Sequence, residues 1–405
     1  MQPLLIHTKP IPYYQRVKAL FGSSLVAYYP RIHDGVDISG NNHTGTPTAV
    51  SAGLGIGDGL SSGVFDGVTS YVNLPASLRA AFPYTEGSFL IWPCVDSYDV
   101  WIDNTSRRMF EFIDGDGSDY MRIYKDPLYN RYDAYYRFGD VATRNVSESS
   151  SSSGFSPLIF TWSKSNNRTR LFTHGRLRGT STYPDDVVHV FTRSNIGTSH
   201  APVTNGWIGR LAHFAIGNIE LNAAQALTLS HSSVKLFTIL GDSVSTLSGH
   251  WASRTVFNYP TKADLLNHAV TGNSIMANMD AQVVAAADDD AGIIIIELGT
   301  NDDNAGNMAN LQAEAEENIA ELKVSNPRAT LYWLNVLPRW TDNGGGTPVD
   351  KGNIRTAISA ACAAKSITCW DTFTAPWITA AQTIDGLHPT AAGHAAIAVQ
   401  VLARL

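Results

Sequence analysis

The sequence of 405 residues has little charge and no long apolar segment. Charged residues make up 16% of it, against about a quarter in an ordinary soluble domain. No run of about 18 apolar residues is present, so a membrane-spanning helix is not expected. Lysine and arginine form no cluster and the net charge is −7, which argues against a nucleic-acid partner.

Cysteine is equally sparse, with Cys94, Cys362 and Cys369 and no CxxC pair. Such a scattered, odd-numbered set indicates neither a disulfide scaffold nor a structural zinc site. The first residues lack a basic segment followed by an apolar core, so no secretory signal is seen. The expected compartment stays open between the cytoplasm, export by another route and a virion.

The first half of the chain has the pattern of an all-β domain. Hydrophobic residues make up 44% of the sequence, which is enough for packed cores. Residues 1–21 are expected to form an arm, because Pro10 and Pro12 disfavour a helix there. Across residues 22–233, short β segments such as Leu158–Trp162 are separated by turns rich in Gly, Asn and Asp. This pattern predicts a β-sandwich.

The second half, residues 234–405, alternates apolar runs with helical stretches. The runs are Leu236–Leu240, Ile293–Leu298, Leu331–Val336 and the shorter Ile367–Trp370. Runs of this kind predict strands buried on both faces, and their alternation with helices predicts a parallel sheet in an α/β/α arrangement. In such a sheet, ligands bind where the strands end, so the residues after each run are the candidates for a site.

Three candidates follow from strand ends and turns. Ser243 comes directly after the first run, and Asn301 comes after the second. Gly272 lies between these runs, in a turn where the backbone can approach a ligand closely. Taken singly, Ser243 is better explained as a helix cap, and Gly272 and Asn301 as ordinary turn residues.

A fourth candidate is the pair Asp385 and His388, in the turn before the last predicted helix. A carboxylate three residues from a histidine can fix the orientation of the imidazole, and its other nitrogen can then act as a base. With Ser243, Gly272 and Asn301, this pair would supply the nucleophile, base, orienting acid and oxyanion donors needed for acyl transfer.

Residues 236–402 resemble the SGNH hydrolases, also called the GDSL family. Four blocks carry the resemblance in order: GDS at 241–243, the glycine of VTGN at 272, GTND at 299–302 and DGLHP at 385–389. It implies a flavodoxin-like fold with Ser243 as nucleophile, His388 as base and Asp385 as its partner. It also implies an oxyanion hole made by the N–H groups of Ser243 and Gly272 and the side chain of Asn301. No metal or cofactor is expected. The first block departs from the family pattern in having Val244 in place of leucine.

Residues 22–228 resemble the concanavalin A-like, or laminin-G-like, jelly roll. The resemblance rests on loose motifs, among them Leu25–Pro30 and Gly206–Leu211. It implies a sandwich of two sheets, often sugar-binding and sometimes calcium-binding, of the kind found beside many carbohydrate-active enzymes.

The expected function is that of a serine esterase acting on acetyl or other short acyl groups, with an acylated carbohydrate as substrate. Arg339 and Trp340, in the loop of residues 338–348, are expected to line the substrate pocket. Two alternatives stay open at this point. One is a lipid-directed esterase, thioesterase or lysophospholipase. The other is a glycan-binding adhesin or phage-tail component with a vestigial hydrolase domain.

Overall fold

The computed structural model describes residues 12–95, 97–128, 131–138, 141–146, 155–184, 190–199, 205–230, 235–246, 251–259, 263–287, 289, 291–302, 308–340 and 351–405. Two antiparallel sheets lie in the described part of the first half, and a parallel sheet lies in that of the second. The predicted domain boundary near residue 233 lies outside the described residues, as do residues 1–11 of the predicted arm.

The first half contains strands β1 to β15. Their bounds are Leu25–Tyr29, Thr46–Thr48, Ser51–Gly53, Ser62–Asp66, Tyr71–Asn73, Glu86–Cys94, Arg107–Ile113, Tyr120–Lys125, Tyr132–Phe138, Val141–Val146, Leu158–Ser163, Arg168–Thr173, Arg176–Ser181, Arg193–Ile196 and Ile208–Gly217. One sheet has the order β13-β12-β11-β6-β15-β4-β3, with β1 also paired to β15, and the other has the order β10-β9-β8-β7-β14-β5-β2. The predicted jelly-roll-like sandwich is confirmed.

Aromatic side chains fill the space between these two sheets. Phe89 of β6 lies at the centre, with its ring centroid 4.4 Å from that of Phe110 and 5.0 Å from that of Trp162. Phe110 belongs to the other sheet, so its contact with Phe89 joins the two layers, whereas Trp162 lies in the same sheet as Phe89. Aromatic pairs of this kind add about 0.5–1.5 kcal/mol each beyond the burial of their area.

A helix, α1 (Tyr13–Phe21), precedes the first strand. The expectation that the prolines exclude a helix is therefore wrong for these residues. Pro12 occupies the N-cap, where its missing N–H removes no intrahelical hydrogen bond. The helix packs through the buried residues Tyr13, Val17 and Phe21, four residues apart on one face. The Tyr13 hydroxyl also accepts a hydrogen bond of 2.8 Å from Trp92 Nε1.

The second half is built on strands β16 to β20, with bounds Lys235–Gly241, Ala263–Asn267, Ile293–Glu297, Thr330–Leu334 and Thr368–Trp370. Their order is β17-β16-β18-β19-β20, and every neighbouring pair is parallel. This is the 2-1-3-4-5 order of flavodoxin-like sheets, so the predicted topology is confirmed. Strand β17 was not predicted from the sequence.

Nine further helices, α2 to α10, are described. Their bounds are Ala76–Ala80, Tyr98–Trp101, Ala223–Ser230, Ser243–Thr246, Trp251–Asn258, Ile275–Ala286, Met308–Ser325, Gly352–Ala364 and Ala391–Leu402. Helices α7, α8 and α9 share one hydrophobic core with the parallel sheet, and α6 and α10 share another. The two cores make the three layers of an α/β/α arrangement. Among the described residues, no helix has the length and hydropathy to cross a membrane.

Candidate active site

The turn between β16 and α5 places Ser243 at the carboxyl end of the parallel sheet. Asp242 Oδ1 accepts a hydrogen bond of 2.9 Å from the Val244 N–H, which closes the turn. Gly241 ends the strand, and a Cβ there would lie 2.9 Å from Ser245 Cβ, so only glycine lets α5 approach so closely. Ser243 is the first residue of α5, where backbone N–H groups have no acceptor within the helix.

The serine hydroxyl is the first member of a chain of two hydrogen bonds. Ser243 Oγ lies 2.9 Å from His388 Nε2, and His388 Nδ1 lies 2.6 Å from Asp385 Oδ2. Asp385 Oδ1 accepts bonds from the backbone N–H groups of Leu387 and His388, at 3.0 and 2.8 Å. The structure thus brings together three residues that are 145 and 3 positions apart in the sequence.

The charge state of Asp385 determines which ring nitrogen of His388 carries the hydrogen in this series of hydrogen bonds. Partial burial would raise the pKa of Asp385, but the hydrogen bonds from the His388 backbone and ring and from Leu387 lower it to about 2. The carboxylate is therefore ionised at neutral pH and accepts a hydrogen bond from the Nδ1–H group. Nε2 of the neutral imidazole is then free of hydrogen and can accept the Ser243 proton.

Two further predicted residues, Gly272 and Asn301, belong to segments that contact the turn and helix around this serine. Gly272 has φ +80°, and none of the backbone hydrogen bonds of the described turns and loops uses its N–H. Asn301 Nδ2 donates to the Asn273 carbonyl at 2.9 Å and to Asp242 Oδ2 at 3.3 Å. The Asn301 side-chain amide thus donates two hydrogen bonds.

The Gly272 loop, defined as residues 267–273, is held against α5 and the end of β16 by three contacts. They join Asn267 Nδ2 to the Ser245 carbonyl at 2.8 Å, the Val270 N–H to the Gly241 carbonyl at 3.0 Å, and Thr271 Oγ1 to Thr246 Oγ1 at 3.1 Å. These contacts fix the loop to the same turn that carries Ser243.

A pair of buried acids, Asp242 and Glu297, lies beneath the serine. Burial raises the pKa of Asp242 to about 6, and burial together with the charge of Asp242 raises the pKa of Glu297 well above its ordinary value. Glu297 Oε2 also accepts a bond of 2.9 Å from Ser245 Oγ, which in turn accepts one from Trp251 Nε1 at 3.1 Å. The sequence shows Glu297 only as an acid near the end of an apolar run.

Gln282 of α7 was also missed from the sequence. Its side-chain amide donates to the Gly241 carbonyl and accepts from the Gly241 N–H, both at 2.8 Å. This paired contact fixes the end of β16 and hence the position of the turn. The available signal was a polar residue on the buried face of a predicted helix.

The two predicted pocket residues differ in their surroundings. Arg339 is exposed. Trp340 is 6% exposed and packs in the core shared with α6 and α10, while its backbone N–H donates to the Gly386 carbonyl at 2.8 Å. Trp340 thus supports the turn that carries Asp385 and His388. Residues 341–348 of the predicted loop lie outside the described part of the chain.

In the described ranges, no three or more His, Cys, Asp or Glu side chains are grouped so as to hold a metal ion.

Several solved structures share part of the fold. Domain 4 of AbnA, a GH43 extracellular arabinanase from Geobacillus stearothermophilus solved with arabinotriose, matches at 15% identity and a TM-score of 0.42, over 51% of this chain and 98% of that domain. A CBM40 domain of a Ruminococcus gnavus sialidase, bound to sialyllactose, matches at 12% identity and a TM-score of 0.32, over 38% of this chain and 86% of that one. Scores this low say nothing about ligands.

A comparison with curated proteins finds no match. The model of one protein family does match: the GDSL-like lipase/acylhydrolase family, over residues 239–396. The matched residues contain the parallel sheet from within β16 to β20, together with Ser243, Asp385 and His388. The predicted family resemblance of the second half is confirmed: residues 239–396 form a GDSL-like lipase/acylhydrolase domain, a domain of ester hydrolases.

Proposed function

We propose that the chain hydrolyses acetyl and other short-chain acyl esters carried by a carbohydrate. Ser243 is the nucleophile, His388 the general base and Asp385 the residue that orients and stabilises the imidazole. One observation above all supports this proposal. The hydroxyl, imidazole and carboxylate are joined by hydrogen bonds of 2.9 and 2.6 Å at the carboxyl end of a parallel sheet.

The acylation half of the reaction begins when His388 Nε2 takes the Ser243 proton and Oγ attacks the ester carbonyl. The carbonyl π electrons move to oxygen, and the resulting oxyanion receives hydrogen bonds from the N–H groups of Ser243 and Gly272 and from the Asn301 amide. Asp385 stabilises the imidazolium. Nε2 then gives its proton to the departing alcohol as the C–O bond breaks, which leaves an acyl-enzyme.

The deacylation half repeats these steps with water. His388 Nε2 takes a proton from a water molecule as its oxygen attacks the acyl carbonyl, and the same donors stabilise the second oxyanion. The imidazolium then protonates Ser243 Oγ as the acyl bond breaks. The products are the carboxylic acid and the regenerated enzyme, and no redox partner is needed.

The carbohydrate part of the proposal rests on two features. The side chains of His388 and Asp385 are 31% and 51% exposed, so the site opens to the surface and is accessible to a bulky alcohol such as a polysaccharide. The sandwich half resembles the jelly rolls that accompany carbohydrate-active enzymes. This second feature is an argument by analogy with other two-domain enzymes.

The test compares the purified chain with Ser243→Ala on p-nitrophenyl acetate, butyrate and decanoate, and on acetylated xylan. We expect turnover of the acetate and of the xylan by the wild type, and a loss of roughly 10³-fold or more in the variant. Ser325→Ala is the matched control, because Ser325 ends α8 at the opposite edge of the sheet; its turnover should be unchanged.

Other outcomes would overturn the proposal in distinct ways. Preference for the decanoate over the acetate would favour the lipid-directed alternative. An inert wild type that binds glycans would favour the adhesin with a vestigial hydrolase domain. Equal turnover by wild type and Ser243→Ala would mean that another residue is the nucleophile.

A further inference from the structure

The first half of the chain, which forms the sandwich, is called the sandwich half, and the second half, which contains the parallel sheet, the hydrolase half. A strand of the sandwich half contacts a buried carboxylate of the hydrolase half. Arg178 lies on β13, and its guanidinium NH2 is 3.7 Å from Asp289 Oδ1. The two side chains are 7% and 0% exposed. At this distance the contact is an ion pair without a hydrogen bond, and because water is largely excluded, its attraction is little screened.

The other oxygen of the Asp289 carboxylate accepts hydrogen bonds from two residues of the hydrolase half. Asp289 Oδ2 accepts a bond of 2.8 Å from His268 Nε2 and another of 2.8 Å from Thr238 Oγ1 in β16. The His268 backbone N–H donates to the Ile239 carbonyl of the same strand at 2.9 Å. Asp289 therefore links the arginine of one half to the histidine of the other.

His268 belongs to the Gly272 loop and precedes Gly272 by four residues. The contacts described above hold that loop on the side of α5, and the His268–Asp289 bond holds it independently through a residue that lies between α7 and β18. The loop that carries the Gly272 N–H is therefore attached on two sides.

We propose that Arg178, Asp289 and His268 are positioning residues through which the sandwich fixes the Gly272 loop for catalysis. The inference rests on the proposed function, in which the Gly272 N–H binds the oxyanion. Without the Arg178 charge, the buried Asp289 carboxylate loses a compensating partner and shifts toward water, and His268 moves with it. Because an oxyanion donor acts only over a narrow range of distance, a small shift of the loop lowers the rate.

The expected size of the fall in kcat follows from the contribution that one complete oxyanion donor makes to the rate. Complete loss of one oxyanion donor costs on the order of 10²–10³ in kcat, so partial displacement should cost on the order of tenfold. The Michaelis constant should hardly change, because the donor acts mainly on the transition state. If Arg178 had only a structural role, Arg178→Gln would lower stability without this selective fall in kcat at constant KM.

The kinetic test uses Arg178→Gln with Arg178→Lys as the conservative variant. We expect kcat for p-nitrophenyl acetate to fall about tenfold in Arg178→Gln at constant KM. The inhibition constant of a trifluoromethyl ketone, whose adduct carries the oxyanion, should rise in proportion, and Arg178→Lys should restore most of both. Arg170→Gln is the matched control, since the Arg170 side chain, 12% exposed, is also in a largely buried ion pair, 2.8 Å from Glu220, but within the sandwich.

A double variant tests whether Arg178 and His268 act through the same series of contacts. If Arg178 and His268 act through the same loop, Arg178→Gln combined with His268→Gln should lower kcat no further than the larger single effect. A fall in kcat of the double variant equal to the product of the two single effects would contradict the inference. Unchanged kcat and inhibitor affinity in Arg178→Gln, while Ser243→Ala is inactive, would overturn it and leave the proposed function standing.

A measurement independent of turnover completes the test. Hydrogen exchange of peptides that cover residues 268–273 should be faster in Arg178→Gln than in the wild type and unchanged in Arg170→Gln. Equal exchange in all three proteins would refute the link to the loop, whether or not the chain hydrolyses esters.

Discussion

The buried carboxyl of Asp242 predicts a pH dependence of stability that one substitution removes. Burial raises its pKa from 3.8 to about 6. Between these values Asp242 holds a proton in the folded chain that it has released in the unfolded chain, so its contribution to the free energy of unfolding falls as pH rises and is constant above about pH 6. At about 1.4 kcal/mol per pH unit, the fall amounts to about 3 kcal/mol.

Asp242→Asn removes this titration while keeping an oxygen that can accept the Val244 N–H. For a domain of this size, about 1 kcal/mol corresponds to roughly 2–4 °C in Tm. Part of this fall has already occurred at pH 4, just above the unfolded pKa of 3.8, so the Tm of Asp242→Asn relative to wild type should rise by roughly 5–10 °C between pH 4 and pH 7. His394 acts in the opposite sense, because burial lowers its pKa to about 4 and its contribution to stability grows as pH rises.

Scanning calorimetry of the two proteins at pH 4, 5, 6 and 7 measures this difference. The contribution of His394 cancels in it, and loss of the Asp242 charge, which lowers the pKa of Glu297, changes the difference in the same direction. Asp371→Asn serves as a control: hydrogen bonds from Thr374 and Phe373 outweigh burial and lower the pKa of Asp371. Its Tm difference from wild type should stay flat above pH 5. A Tm difference for Asp242→Asn that is constant from pH 4 to pH 7 would refute the reasoning about the buried acid.

Three further changes have expected outcomes. Asp385→Asn should lower kcat by about 10²–10⁴-fold at constant KM, because an amide in place of the carboxylate favours the wrong imidazole tautomer; steady-state kinetics measures this, and normal turnover would contradict it. Asn301→Ala should lower kcat by about 10²–10³-fold as one oxyanion donor is lost, and a change confined to KM would count against that role. Trp340→Ala should lower the free energy of unfolding by about 3–5 kcal/mol, whereas Arg339→Ala should leave it unchanged. Thermal unfolding compares these two, and equal stability would show that Trp340 is not a core residue.

The parallel sheet could be predicted from the sequence because strands buried on both faces are continuous apolar runs. Ile293–Glu297 is such a run, and it became the central strand. Strand β17 escaped prediction because Ala263–Asn267 is an edge strand with polar residues at two of its five positions. Helix α1 escaped because its proline occupies a capping position rather than the helix interior.

The candidate site was predictable where a residue follows a strand or shares a turn, as Ser243 and the pair Asp385 and His388 do. Its supports were not, because they depend on contacts between distant residues. Gln282 lies 41 positions from the Gly241 backbone that it binds. Arg178 lies in the other half of the chain from Asp289. Local sequence patterns carry no information about contacts between such distant residues, so these pairs become visible only in the folded structure.

Covalent labelling tests the central claim, that Ser243 is the nucleophile, most directly. The wild type is treated with a fluorophosphonate at pH 7.5, and peptide mass spectrometry locates the adduct. We expect one phosphonyl group on Ser243, no labelling of Ser243→Ala, and much slower labelling when His388 is replaced by alanine. An adduct on a different residue, or ester turnover that continues in an enzyme unlabelled at Ser243, would contradict the account.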